Sequence, residues 1–133
     1  RTIERLRDAG ICVSCFIAPD ARQIRAVATL GAPYIELHTG SYCLAADNFG
    51  GDLYGNPPME VKRELDRIYR AADCAAEIGI GVNAGHGLNV YNLGPVLAAR
   101  GLDELNIGHS IIARSIFTGL AGAVKELLDI INR

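Results

Sequence analysis

The sequence predicts an α/β fold made of four βα units, which corresponds to half of an eight-stranded (β/α)8 TIM barrel. Three observations lead to this prediction. Apolar strands alternate with helices, and the strands begin near residues 11, 33, 79 and 104. Each strand has one apolar face and one face that carries a polar residue. The chain has 133 residues, whereas a complete barrel needs roughly 250.

The four predicted strands are short apolar runs that end in turns rich in glycine or histidine. They are Ile11–Ile17, Pro33–Gly40, Gly79–Gly87 and Glu104–Ser110. The predicted helices begin at a proline or a capping residue, and most end near a glycine. They are Thr2–Ala9, Pro19 to Gly31, Pro57 to Ile78, Pro95 to Ala99, Ile111–Thr118 with Ser110 as its N-cap, and a last helix that follows Gly119 and ends at Asn132. This alternation predicts parallel strands joined by helical crossovers.

The segment Ser41–Asn56 is polar and rich in glycine, and it is predicted as a loop. Loops of this length in compact domains are usually functional or mobile. The segment is therefore either a lid over a site or a plain surface insertion.

The two faces of the predicted strands favour a barrel over a doubly wound sheet. Ser14, Glu36, Asn83 and Asn106 lie on the faces opposite the apolar residues of their strands. A doubly wound sheet is covered by helices on both faces, so its strands are apolar throughout. A barrel has helices on the outside only, and a buried carboxylate such as Glu36 indicates water or chemistry in its interior.

Composition excludes several classes of protein. Lys and Arg number 13 and Asp and Glu number 15, which gives a net charge of −2, and 50% of the residues are hydrophobic. This balance leaves no basic excess for binding nucleic acid. The long uncharged stretch Ile78–Ala99 contains five glycines and three asparagines, so we expect no membrane span.

The first residues and the cysteines of the chain bear on its cellular location, on a redox or zinc site, and on whether the chain is part of a longer protein. Arg1–Arg7 is too charged for a signal peptide, and a reducing cytoplasm is the simplest location. Cys12 and Cys15 have the spacing of a redox or zinc pair, but on a strand they would point to opposite faces. Because the first residue is Arg rather than Met, we expect the chain to be a piece of a longer protein.

All three histidines, His38, His86 and His109, lie at the predicted carboxyl ends of strands. In βα folds that edge of the sheet carries the active site, and histidine transfers protons near neutral pH. Glycines flank two of them, in Gly85–Gly87 and in the run Gly108-His109-Ser110. Glycine lets backbone N–H groups approach a phosphate, although these glycines could also do no more than form tight turns.

Three longer motifs carry a resemblance to a known family. They are IELHTG at Ile35–Gly40, GVNAGHGLN at Gly81–Asn89 and ELNIGHSIIARSIFTGL at Glu104–Leu120. With the opening VSCFIAPD, they resemble the C-terminal half of the pyridoxine 5′-phosphate synthase barrel. The resemblance implies that residues 1–133 are the C-terminal half of a single barrel domain. It also implies a cytoplasmic homo-oligomer.

The resemblance implies a transferase that condenses 3-amino-2-oxopropyl phosphate with 1-deoxy-D-xylulose 5-phosphate. The products would be pyridoxine 5′-phosphate, phosphate and water, and no metal or organic cofactor would be required. His86 is similar to the catalytic histidine of the family, and Glu36 to its glutamate inside the barrel. Gly87, Gly108 and His109 resemble contacts to the amino-ketone phosphate.

The same resemblance implies that the chain alone is inactive, because the other catalytic residues of the family lie in its N-terminal half. Ala18 also departs from an often acidic position. Three alternatives stay open: a complete doubly wound binding domain, a phosphate-binding half-barrel without catalysis, and another barrel enzyme acting on sugar phosphates. The last is disfavoured because Lys62 and Lys125 lie on predicted helices rather than on strands.

Overall fold

A computed structural model describes residues 2–133 of the chain. Strands and helices alternate along these residues, as the sequence predicts, except that two helices separate the second and third strands. In chain order they are α1 (Thr2–Asp8), β1 (Ser14–Ile17), α2 (Ala21–Leu30), β2 (Tyr34–His38), α3 (Gly40–Phe49), α4 (Met59–Ile78), β3 (Gly81–Gly85), α5 (Leu93–Val96), β4 (Leu102–Asn106) and α6 (His109–Ile131). None of the helices in this part of the chain has the length and apolar character needed to cross a membrane.

The four strands form one sheet in the order β1-β2-β3-β4, and every neighbouring pair is parallel. A doubly wound sheet reverses its strand order at a switch point, whereas a barrel wall adds its strands in sequence. The observed order is that of a barrel wall and does not fit the doubly wound alternative.

One face of the sheet, which we call the helix-covered face, is apolar and buried. Ile35 and Leu37 on β2 and Val82 and Ala84 on β3 are each at most 1% exposed. They belong to one hydrophobic core with side chains of α2 and α4, among them Ile24, Ile68 and Ala72.

The opposite face, which we call the open face, carries Ser14, Phe16, Glu36, Asn83 and Asn106. Phe16 is 54% exposed and Asn106 is also exposed, while Glu36 is partly buried and Asn83 is buried. The polar set predicted for the barrel interior therefore lies together on one face.

The segment Ser41–Asn56 is not a loop throughout, and this part of the prediction is wrong. Helix α3 occupies Gly40–Phe49, and its buried side chains are Tyr42, Cys43, Ala45 and Ala46. These four residues have the spacing of one helix face, and their burial against the core outweighs the polar and glycine-rich composition of the segment. The irregular part of the segment begins only at Gly50.

Most helix ends follow the predicted signals, but the helix predicted from Pro95 to Ala99 is instead Leu93–Val96, with Pro95 inside it. Asp20 caps α2 by accepting hydrogen bonds from the backbone N–H groups of Arg22 and Gln23, and Gly79 ends α4 with a left-handed backbone. Ser110, however, is not the N-cap of α6, because the helix begins at His109 after Gly108. The predicted interruption at Gly119 is confirmed, since its φ of 74° and ψ of 156° are not helical.

The strands are shorter than predicted. The first begins at Ser14 rather than Ile11, and the fourth covers Leu102–Asn106 rather than Glu104–Ser110. Gly108 and His109 therefore belong to the turn and the helix that follow β4. This shift leaves both residues at the carboxyl edge of the sheet.

Candidate active site

A cavity of about 660 Å³ lies at the carboxyl edge of the sheet. All five residues that the family resemblance assigns to catalysis or binding line it: Glu36, His86, Gly87, Gly108 and His109. These residues come from β2, from the turn after β3, and from the turn and the first residue of α6 that follow β4. The fold thus brings together residues that lie far apart in the sequence.

Glu36 reaches across the neighbouring strand within the open face. Its Oε2 accepts a hydrogen bond of 2.9 Å from the Nδ2 of Asn106 on β4, although β3 lies between the two strands. The bond passes over Gly85, where a Cβ would collide with Glu36 Oε1 and lie 2.9 Å from the Asn106 carbonyl oxygen. Glycine at this position is therefore required for the Glu36–Asn106 pair.

His86 follows β3 in an unusual backbone conformation. Its φ is 82°, and among the described residues it is the only non-glycine with a positive φ. Such a conformation is strained for a residue with a Cβ, and this kind of strain is concentrated at functional sites. The exposed imidazole of His86 lies at the wall of the cavity.

His38 lies behind His86 rather than in the cavity wall. The two imidazole rings are stacked, with centroids 4.5 Å apart and an angle of 26° between their planes. The Gly40 N–H donates a hydrogen bond of 3.3 Å to His38 Nδ1. A Cβ at Gly40 would lie 2.5 Å from His38 Cε1 and 2.9 Å from His86 Cδ2, so the stacked pair needs glycine there.

His109 occupies the first turn of α6, next to Gly108. Ser110 secures this helix end, because its hydroxyl donates a hydrogen bond of 2.7 Å to the Leu88 carbonyl oxygen in the turn after β3. The N-terminal end of a helix presents unpaired N–H groups and a positive partial charge, which together favour an anion. The two glycine-containing turns therefore meet at one anion-compatible end of the cavity.

Asp47 is a cavity residue that the sequence analysis missed. It lies on α3, where it accepts hydrogen bonds from the Nδ2 groups of Asn89 (3.2 Å) and Asn92 (3.1 Å). These bonds fix the turn after β3 against α3. The polar, glycine-rich composition of the segment predicts a loop, whereas its helical conformation directs Asp47 towards the turn after β3.

The charged groups around the cavity are unevenly distributed. Glu36 and Asp47 line it, but no Lys or Arg is among the described lining residues. The nearby Arg114 is engaged with Glu126 across the break at Gly119, with N–O distances of 2.7 and 3.1 Å. Through these bonds Arg114 holds the pKa of the Glu126 carboxyl below its usual range. Within residues 2–133, no three His, Cys, Asp or Glu side chains are grouped so that they could hold a metal ion.

The chain is similar to known proteins along its whole length. The family model described as "Pyridoxal phosphate biosynthesis protein PdxJ" matches residues 1–133. Relatives named pyridoxine 5′-phosphate synthase include those of Pelobacter propionicus and Geobacter sulfurreducens, which are 46% and 45% identical to the chain over 130 residues. The relative from Legionella pneumophila is 47% identical over 132 residues.

These matches cover nearly all of this chain but only part of each relative. The alignments span 98% of the chain and 50% of the first two relatives, and 99% of the chain and 49% of the third. The chain therefore spans about half the length of the curated relatives it matches, consistent with a sheet of four strands rather than eight. By the match of the family model and the motifs of its cavity, the chain belongs to the PdxJ family of pyridoxal phosphate biosynthesis proteins.

Proposed function

We propose that this chain contributes half of the active site of a pyridoxine 5′-phosphate synthase. The enzyme would condense 3-amino-2-oxopropyl phosphate with 1-deoxy-D-xylulose 5-phosphate to give pyridoxine 5′-phosphate, phosphate and water. One observation carries this proposal above all: Glu36 and His86 share a cavity with Gly87, Gly108 and His109 at the carboxyl edge of a parallel sheet. That edge is where barrel enzymes hold their catalytic groups.

The proposed reaction requires repeated proton transfers. Joining an amine to a carbonyl group, removing water and closing a ring each need a group that accepts and returns a proton. His86 is the proton-transferring group of the proposal, because its exposed imidazole faces the cavity. Glu36 would stabilise positive charge that develops on the substrate, and Asn106 fixes its carboxylate for that role.

The phosphate of the amino-ketone would bind at the glycine-containing turns. Gly87, Gly108 and the start of α6 leave room for backbone N–H groups to approach an anion, and His109 adds a side-chain donor. Since the described lining contains no Lys or Arg, the phosphate would be held by backbone N–H groups and by imidazole, amide and hydroxyl donors rather than by a Lys or Arg side chain.

The other half of the barrel would come from the rest of the protein. In this proposal residues 1–133 are the C-terminal half of a single (β/α)8 domain, which acts in the cytoplasm as a homo-oligomer and needs no cofactor. Two features of the open face support a missing partner. Phe16 is 54% exposed there, and the buried Oδ1 of Asn83 has no hydrogen-bond partner among the described residues.

The test is release of phosphate from the two substrates. We would measure it with the chain alone, with the N-terminal half of the Pelobacter propionicus relative alone, and with the two mixed. We expect release only in the mixture. We also expect His86→Asn to lower the release by about 100-fold or more, because general acid–base catalysis contributes that much.

Circular dichroism and size-exclusion chromatography would establish that both pieces fold and associate. If they do and the mixture still releases no phosphate, the proposed activity is wrong. If the His86→Asn mixture releases phosphate at the full rate, His86 is not the proton-transferring group. Substrate binding that persists without any turnover would favour the non-catalytic half-barrel.

A further inference from the structure

Thr39 stands at the start of α3 but does not cap it. A threonine at this position normally accepts a hydrogen bond from a backbone N–H in the first turn of the helix. No such bond is present at Thr39. Its hydroxyl lies instead 2.8 Å from the carbonyl oxygens of both Gly85 and His86, 46 and 47 residues further along the chain. A hydroxyl has one proton to donate, so the two carbonyl groups share it.

The bonds made by Thr39 are shielded from water. Thr39 is 0% exposed, and the Cys43 thiol lies against its hydroxyl with an Sγ–Oγ1 distance of 3.8 Å. The backbone N–H of Thr39 also donates to the Gly85 carbonyl oxygen at 2.9 Å. Because solvent does not reach this site, water cannot replace the hydroxyl as a partner for the carbonyl groups.

Thr39 holds the carbonyl group of His86, which is the only described residue other than glycine that has a positive φ. The φ of His86 is 82°, and a conformation of this kind persists only where the surroundings hold it. The neighbours of Thr39 act on the same residue, since His38 stacks on the His86 ring and Gly40 leaves room for the stacked pair. His38 and Thr39 thus contact His86, and the absence of a side chain at Gly40 allows this arrangement.

From this arrangement we infer that Thr39 is a positioning residue for the reaction. Its hydroxyl holds the backbone of His86 so that the imidazole faces the cavity, and it gives up a local helix cap to do so. The inference deepens the proposed function and rests on it, because it assigns Thr39 a part in turnover that acts through His86.

The test compares Thr39→Val, which keeps the shape but removes the hydroxyl, with Thr39→Ser, which keeps the hydroxyl but removes the methyl group. Both would be made in the chain fused to the N-terminal half of the Pelobacter propionicus relative. We expect Thr39→Val to lower kcat by about 10- to 100-fold, since a displacement of about 1 Å at a catalytic group has an effect of that size. KM should change little, and Thr39→Ser should restore most of kcat.

A second measurement does not depend on turnover. The NMR coupling between the amide and α protons of His86 reports its φ, and its imidazole signals report the stack with His38. Thr39→Val should change both, whereas Thr39→Ser should keep the wild-type values. Thr29→Val is the matched control, because the exposed Thr29 hydroxyl bonds only within α2, to the Arg25 carbonyl oxygen at 3.0 Å.

The outcomes separate this inference from the proposed function. If the wild-type fusion releases no phosphate, the proposed function fails, and the NMR comparison alone decides whether Thr39 holds His86. If the fusion is active and folded Thr39→Val keeps the wild-type kcat or the wild-type His86 signals, the inference is wrong. If Thr39→Val does not fold, loss of kcat in a folded Thr39→Ser protein overturns the inference as well.

Discussion

The two faces of the sheet differ in how fully their side chains are buried and hydrogen-bonded. On the helix-covered face, Ile35 and Leu37 are fully buried in a core that the chain builds by itself. On the open face, Phe16 is more than half exposed and the buried Asn83 has an oxygen without a partner. Alternate residues of the same strands are therefore fully packed on one side of the sheet and incompletely packed or hydrogen-bonded on the other.

The difference indicates that one face of the sheet contributes mainly to the stability of the fold and the other mainly to function. The helix-covered face removes apolar surface from water, which is the main favourable term in folding. The open face carries Glu36 and leads to the cavity with His86, and polar groups there contribute little to the core. A change on one face should therefore affect folding, and a change on the other should affect chemistry.

Leu37→Ala should have the largest effect on folding. Leu37 is 0% exposed at the centre of the helix-covered face, so its truncation removes buried methyl groups and leaves a cavity. Changes of this kind cost about 2 to 5 kcal/mol. We expect the free energy of unfolding, measured by urea denaturation, to fall by that amount.

Glu36→Gln provides the matched comparison, because Glu36 precedes Leu37 on β2 and points to the opposite face. Its effect on the free energy of unfolding should stay within about 0.5 kcal/mol, as for most changes away from a core. In the completed barrel, phosphate release should fall about 100-fold, because the carboxylate charge that would stabilise the transition state is lost. Equal losses of stability in the two variants would contradict the separation of the two faces.

The buried Cys43 thiol should also make the free energy of unfolding depend on pH in the alkaline range. Burial raises the pKa of the Cys43 thiol to about 11, whereas a thiol in an unfolded chain ionises near 8.5. Between these values the unfolded chain loses the proton and the folded chain keeps it. The contribution is therefore complete below about pH 8.5 and is lost as the pH rises to 11, which amounts to about 3 kcal/mol.

Cysteine variants isolate this effect from other titrations. Cys43→Ala should remove this part of the fall in stability between pH 8 and pH 10.5, measured by urea denaturation at each pH. Cys12→Ala is the matched control, because Cys12 is exposed and lies outside the core. A wild-type slope that persists in Cys43→Ala would mean that the buried thiol is not responsible.

The sequence predicts the two faces well because strand alternation is a local property. The polar residues Glu36 and Asn83 and the apolar residues Ile35 and Val82 lie on the faces predicted for them. The carboxyl-edge residues His86 and His109 also share the cavity that their positions after strands predict. Each of these inferences needs only a two-residue period and the order of the elements.

What the sequence does not reveal depends on long-range contacts. Helix α3 is not predicted, because the glycines and polar residues of its segment indicate a loop more strongly than the spacing of Tyr42, Cys43 and Ala46 indicates a helix. The bonds from the Thr39 hydroxyl to the His86 carbonyl oxygen, and from the Asn92 amide to the Asp47 carboxylate, join residues more than 40 positions apart. No local pattern marks such a bond, because it exists only once the sheet edge and α3 have been brought together.

The prediction with the smallest expected effect concerns Asn83. It tests whether the other half of the barrel supplies hydrogen-bond partners to the open face. In the chain alone, Asn83→Leu removes a buried oxygen that has no partner, so the free energy of unfolding should rise by about 1 kcal/mol. In the fused, completed barrel, Asn83 should find a partner, and the same change should lower the stability instead. Asn92→Leu is the control, because the Asn92 amide already bonds to Asp47 and to the Gly87 carbonyl oxygen and should be needed in both proteins. An Asn83→Leu effect of the same sign in the chain and in the fusion would mean that closing the barrel does not complete this face.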